Sequence, residues 1–76
     1  MLTKEQKEEF EKMFNYYSLQ KSYDFNDDES RLEWDAKMMA FRTAVSILGY
    51  EFVFDSIKEE PNGVKWYSCK LEKTKE

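Results

Sequence analysis

The side chains of this chain that could do chemistry are mostly carboxylates. Asp24-Phe25-Asn26-Asp27-Asp28 sets oxygen ligands at alternate positions, as the opening of a calcium-binding loop does. The remainder departs from that pattern. Glu29 stands where the sharp turn needs Gly, Arg31 where an apolar residue belongs, and Asp35 where a bidentate Glu closes the site. The same acids serve as caps and first-turn charges of a helix, so no metal is expected. Cys69 is the single thiol and the chain has no histidine, which leaves neither a Cys–His nucleophile nor a structural zinc set. In an alternating strand, a lone Cys is read as packing. Glu59-Glu60 and Asp27-Asp28 are adjacent carboxylate pairs, and neighbours in sequence diverge in space. They become an acid–base site only in a cleft that shifts their pKa values. With no Gly-rich phosphate loop either, the expectation is a protein that is not an enzyme and carries no cofactor.

Binding chemistry is better represented. The C-terminal half interleaves Tyr50, Phe52, Phe54, Trp66 and Tyr67 with Lys65, Lys70, Lys73 and Lys75. Aromatic rings beside lysines on a sheet can stack bases while the ammonium groups meet phosphate, so Lys65, Trp66 and Lys70 are candidate nucleic-acid contacts. The formal net charge of −4 opposes this, because phosphate neutralisation dominates such affinity. The opposite reading uses the acids. Residues 1–30 hold eight acids against four lysines. Glu5, Glu8, Glu9, Asp27 and Asp28 could form a negative face toward a basic partner, including a protein that itself binds nucleic acid. A solvated helix surface explains the same charges.

These groups must be held by four elements. Thr3-Lys4-Glu5-Gln6 reads as a capping box. Phe10, Met13, Phe14 and Tyr17 follow at helical spacing, and Glu8 and Lys12 form an i,i+4 pair. The first helix is expected over 4–19, with 20–28 as a connection that is either a loop or a short strand around Tyr23 and Phe25. Two capping boxes compete to start the second helix, Asn26-Asp27-Asp28-Glu29 and Ser30-Arg31-Leu32-Glu33. Trp34, Met38, Phe41, Val45 and Leu48 form its stripe, and Met39, Ala40, Ala44 and Ile47 widen it almost all the way round. Gly49 ends it near 48. Tyr50-Glu51-Phe52-Val53-Phe54-Asp55 alternates with period two, so a strand over 50–57 should turn Tyr50, Phe52 and Phe54 toward the helices. Pro61-Asn62-Gly63 marks a turn within 58–63. A second strand over 64–71 has either Val64 and Trp66, or Tyr67, Cys69 and Leu71, facing inward, and 72–76 reads as a frayed charged tail.

The order α-α-β-β defines a single small α+β domain whose hairpin packs on the second helix. At 76 residues, with one cysteine, such a domain has few internal means of stabilisation. Thirteen aromatic residues supply a dense core. A two-stranded sheet is marginal alone and exposes its edges, so a homodimer that joins two hairpins or stacks two copies of the second helix would complete the fold. Met39, Ala40, Thr43 and Ile47 are the candidate interface. There is no apolar run of signal-peptide or membrane-spanning type, and an unpaired cysteine fits a reducing cytoplasm. The functional expectation is a non-enzymatic protein-interaction module, accessory or regulatory, that is homodimeric and engages a further protein partner. A nucleic-acid-binding accessory is the alternative, and an acidic decoy or inhibitor of a nucleic-acid-binding protein is the next.

Overall fold

The computed structural model of the chain describes residues 2–74. Its order is α1 (Lys4–Tyr23), α2 (Asp28–Ile47), β1 (Tyr50–Glu59) and β2 (Lys65–Lys73). The two strands pair antiparallel in a hairpin that contacts both helices.

The capping box forms as its residues require. The Gln6 backbone N–H donates to the Thr3 hydroxyl, and the Thr3 N–H donates to Gln6 Oε1 at 2.9 Å. The helix then runs past the expected stop. Residues 20–23 are helical rather than loop, and the Asp24 N–H closes the last turn on the Gln20 carbonyl. Two contacts hold this extra turn. Ser22 donates to the Ser18 carbonyl at 3.2 Å, and Lys21 reaches Asp35 on α2 at 2.6 Å. Only residues 24–27 remain as the connection. Neither competing capping box starts α2. Asp27 is the cap, accepting from the Ser30 N–H and hydroxyl, and Asp28 and Glu29 fall in the first turn, where negative charge suits the dipole. Gly49 sits at φ +86°, the left-handed conformation that lets the chain leave α2 for β1.

The helices lie antiparallel, because Phe10 meets Phe41 and Tyr17 meets Trp34. The core lies between this pair and the near half of the hairpin. Phe14 is fully buried and stacks on Phe52 at 3.9 Å; Val45, Tyr50 and Leu71 complete the cluster. Met38 and Cys69 pack around it, which settles the face of β2. Cys69 and Leu71 point inward with Tyr67, and Trp66 and Val64 do not share that alternation.

Two expectations change here. The first concerns α2, which is not wrapped. Val45 is its one buried residue, while Leu32, Met39, Ile47 and Leu48 stand exposed, Ile47 at 81%. The stripe Trp34, Met38, Phe41 and Val45 is used, and the wider apolar surface is left open. The second concerns Phe54. It shares the inner face with Tyr50 and Phe52 but is 60% exposed, because the buried cluster reaches only as far along the hairpin as Phe52 and Leu71. Both strands outrun their expected limits, β1 to Glu59 and β2 from Lys65 to Lys73, so Glu72 and Lys73 are paired rather than frayed. Lys75 and Glu76, the end of the expected tail, lie outside the described residues.

The register jumps by one residue between Phe54 and Ser56, so Asp55 is the extra residue of a β-bulge. Facing therefore inverts along β1. Tyr50, Phe52, Phe54, Ile57 and Glu59 lie on the inner side, opposite Lys73, Leu71, Cys69, Tyr67 and Lys65, whereas Glu51, Val53, Ser56 and Lys58 lie outside.

Candidate functional site: an open sheet edge beside a cationic cleft

The two edges of the hairpin are treated differently. Along β2, three side chains of α1 take the place of a further strand. Asn15 accepts from the Cys69 N–H at 2.8 Å and donates to its carbonyl at 3.0 Å. Ser18 donates to the Tyr67 carbonyl at 2.8 Å, and Glu11 accepts from the Leu71 N–H at 2.7 Å. Glu11, Asn15 and Ser18 recur at i, i+4 and i+7, one polar stripe of a helix that lies along the strand. These bonds identify the backbone groups of Tyr67, Cys69 and Leu71 as pointing away from β1. Their register partners Ile57, Phe54 and Phe52 must then point their own N–H and C=O groups away from β2. Within the described residues β1 has β2 as its single strand neighbour, so its far edge has no strand partner along its ten residues, buried side chains at Tyr50 and Phe52 giving way to exposed ones from Phe54.

Beside that edge the inner face is apolar and uncovered. Phe54, Ile57 and Tyr67 are each more than half exposed, with Phe54 and Tyr67 in edge contact at 5.9 Å. Phe54 and Tyr67 border a cleft of about 930 Å³ between the hairpin and the helix pair, which continues to Phe25 in the helix connection and to Gly63 in the hairpin turn. Among the described residues its charged lining is Lys21, Arg31, Arg42 and Lys65, with no carboxylate. Lys21 is engaged by Asp35, and Lys65 lies 4.0 Å from Glu59. Arg42 sits over the Phe14 ring at 5.2 Å, and Arg31 reaches the Phe25 carbonyl at 3.5 Å; neither has a carboxylate partner among the described residues. Burial pushes the Cys69 thiol above its ordinary 9.0; Arg42 opposes that shift and Asp55 adds to it. Cys69 is thus a protonated thiol at neutral pH, a wall of the cleft rather than an activated nucleophile.

Two of the three acids of the calcium-like run are engaged by the chain itself. Asp24 accepts from Trp34 Nε1–H at 2.7 Å, and the Ser30 donors hold Asp27 below its ordinary 3.8. Among the described residues no group of three or more His, Cys, Asp or Glu side chains converges on a point.

The other candidate residues are distributed as follows. Met39, Ala40, Thr43 and Ile47 are all exposed and share the side of α2 turned away from the core. Glu5, Glu8, Glu9, Asp27 and Asp28 are exposed but do not form one face. Glu5 to Glu9 open α1, whereas Asp27 and Asp28 open the antiparallel α2 beyond the far end of α1. At a rise of about 1.5 Å per residue the two groups stand roughly 25 Å apart. Lys65 borders the cleft, but Trp66 and Lys70 alternate onto the opposite side of β2. Trp66 is half-buried, and its indole N–H is enclosed without an acceptor among the described residues. Arg31 and Arg42 are not among the binding candidates that the sequence offers, although Arg42 is one of the cations it could bring near Cys69, as the fold does. Their one signal is a separation of eleven residues, three turns of one helix, on the side that carries Met38.

Comparison of the chain with known protein families, with characterised proteins and with solved structures finds no match.

Proposed function

We propose that this protein is a small non-enzymatic interaction module of the cytoplasm, accessory or regulatory in role, that engages other polypeptide through the open half of its hairpin. One observation carries the reading: the edge of β2 is closed by Glu11, Asn15 and Ser18, while β1 offers a ten-residue edge flanked by exposed Phe54, Ile57 and Tyr67. An edge of this kind either adds a strand from a partner or promotes aggregation. Phe54→Lys and Ile57→Lys test the reading. Both residues are exposed, so each variant should keep the circular dichroism of the parent. Each should abolish concentration-dependent association measured by light scattering and amide exchange. A parent that stays monomeric up to millimolar concentration, with fast-exchanging amides at Phe52 and Phe54, removes self-association. Failure of any added strand to slow those amides would remove the module altogether.

The cleft favours a second reading, nucleic-acid binding. Its support is the set Lys21, Arg31, Arg42 and Lys65 beside Phe25, Phe54 and Tyr67, with no carboxylate in the lining. A labelled single-stranded oligonucleotide should then bind at low salt, and Arg31→Ala with Arg42→Ala should abolish binding. No change in anisotropy at low salt rejects this reading.

A further inference from the structure

The occupant of the open edge can be deduced from β1 itself. We infer that it is β1 of a second copy of this chain, paired antiparallel across a two-fold axis that passes beside Phe54. This rests on the interaction reading above and makes it specific in partner and register.

The bulge is the reason. In a regular strand, residues alternate strictly, and a ten-residue segment has no central residue about which its two ends match in facing. Here the extra residue Asp55 restores the match. The residues whose backbone groups point to the open edge, and whose side chains lie on the inner face, run Tyr50, Phe52, Phe54, Ile57, Glu59. This is an odd set of five with Phe54 in the middle. Rotating a second copy about an axis perpendicular to the sheet sets Phe54 opposite itself, Phe52 opposite Ile57, and Tyr50 opposite Glu59. On the outer face it sets Glu51 opposite Lys58, twice. Every facing pair agrees in side of the sheet and in direction of its backbone groups, as an antiparallel ladder demands.

Alternative centres perform worse. Centring on Phe52 pairs only the five residues 50–54. Centring on Lys58 opposes like charges, which is unfavourable across strands. Centring on Val53 or on the bulge leaves two residues unpaired and loses the Glu51–Lys58 contacts. The Phe54 centre is the one that pairs both ends of β1, nine of its ten residues, with Asp55 bulged out. It also answers a local conflict within the chain. Glu51 already lies opposite Glu72 on the outer face, and neither Glu51 nor Lys58 has an ion-pair partner among the described residues. A Lys58 from the second copy would supply the missing cation.

The same axis joins the clefts. Because it stands perpendicular to the sheet, it keeps both inner faces on one side. The two clefts then meet across Phe54, Ile57 and their copies in a single trough with Arg31 and Arg42 on each flank.

Charge reversal tests both the pairing and its register. Glu51→Lys and Lys58→Glu lie at exposed positions, so both single variants and the double variant should fold, checked by circular dichroism. In light scattering over a concentration series, each single variant should dimerise about tenfold more weakly, since two cross-strand attractions become repulsions. The double variant should return to within about threefold of the parent, because opposite charges again face each other. The amides of Phe52, Phe54 and Ile57 should gain protection as concentration rises. A parent monomer overturns both the register and self-association. A parent dimer that Ile57→Lys dissociates, but whose charge variants show no weakening and rescue, overturns the register and leaves the interaction reading standing.

Discussion

Removing the Asn15 side chain tests how the fold disposes of its sheet edges. Asn15 makes two hydrogen bonds to one residue, to the Cys69 N–H at 2.8 Å and to its carbonyl at 3.0 Å. In Asn15→Ala both backbone groups lose their partner. A fully buried orphan costs about 1–3 kcal/mol, but Cys69 is only partly covered and water can reach it, so about 1 kcal/mol each is the appropriate end of the range. Alanine is the better helix former by up to about 0.7 kcal/mol, which offsets part of the loss. The net expectation is about 1.5 kcal/mol, against a total of roughly 4–11 kcal/mol for a domain of this length. At about 4–8 °C per kcal/mol, the melting temperature should fall by roughly 6–12 °C. Urea unfolding followed by tryptophan fluorescence, with thermal circular dichroism, measures both numbers. Thr43→Ala, on the exposed side of α2, is the control and should stay within about 0.5 kcal/mol. If Asn15→Ala matches that control, α1 does not close the β2 edge by hydrogen bonding, and the contrast between the two edges loses its basis.

Three further outcomes follow from the core, the thiol and the helix cap. Phe14→Ala deletes a fully buried ring stacked on Phe52 and should cost about 3–5 kcal/mol, enough to leave much of the chain unfolded at 37 °C by circular dichroism, while Phe14→Leu retains the fold. Cys69 should alkylate slowly at pH 7 in the native state, its rate still climbing with pH beyond 9.0 before it levels off, and Arg42→Ala should move that plateau higher by removing a nearby cation. Because its folded pKa lies above the unfolded one, the Cys69 thiol contributes to stability fully below pH 9.0, and the contribution declines as pH rises through the folded value, which urea titration at several pH values will show. Asp27 has the opposite sign. Its folded pKa is depressed, so Asp27→Ala should lower the melting temperature near neutral pH, and the difference from the parent should vanish as pH falls below 3.8 and the native carboxylate protonates.

The element order, the Thr3 capping box and the Gly49 exit are decided by local chemistry, and local chemistry is what a sequence displays. The end of α1 is not legible in this way, because Gln20-Lys21-Ser22-Tyr23 has no apolar stripe. Its contacts include Lys21 reaching Asp35 across the helix pair, which a one-dimensional pattern does not contain. The choice of inner face on β2 is undecidable by alternation, since both parities carry apolar residues; Phe14 decides it by stacking on Phe52, next to Leu71. Asp55 leaves no mark of its own, yet it inverts the facing of everything after it. That single residue is why Ile57 joins Phe54 on the inner face and why Lys58 lies outside. The candidate site is legible only in part for the same reason. Lys65 and Tyr67 can be named from the strand, but Arg31, Arg42 and Phe25 join them only through the packing of the hairpin against α2 and the connection.

Composition also misleads about the site in an instructive way. A net charge of −4 averages over the whole surface, whereas the fold sorts the signs: Glu5, Glu8 and Glu9 line the start of α1, and among the described residues the cleft receives four cations and no acid. Net charge therefore governs long-range attraction of anionic ligands, and says little about what the cleft itself would accept. The β1 edge supports the same kind of conclusion. Natural edge strands are guarded by proline, by inward-pointing charge or by a covering element. Here α1 guards β2, and the inward-facing residues on the exposed stretch of β1 are Phe54 and Ile57, with charge arriving only at Glu59. A bulge ordinarily helps to guard an edge by twisting it. In this strand it instead brings an apolar Ile into line with the apolar Phe residues and sets Glu51 and Lys58 symmetrically on the other face. An edge with that pattern suits pairing with itself better than exposure to water, and so the two-fold register makes use of the one feature of β1 that a solitary hairpin would not need.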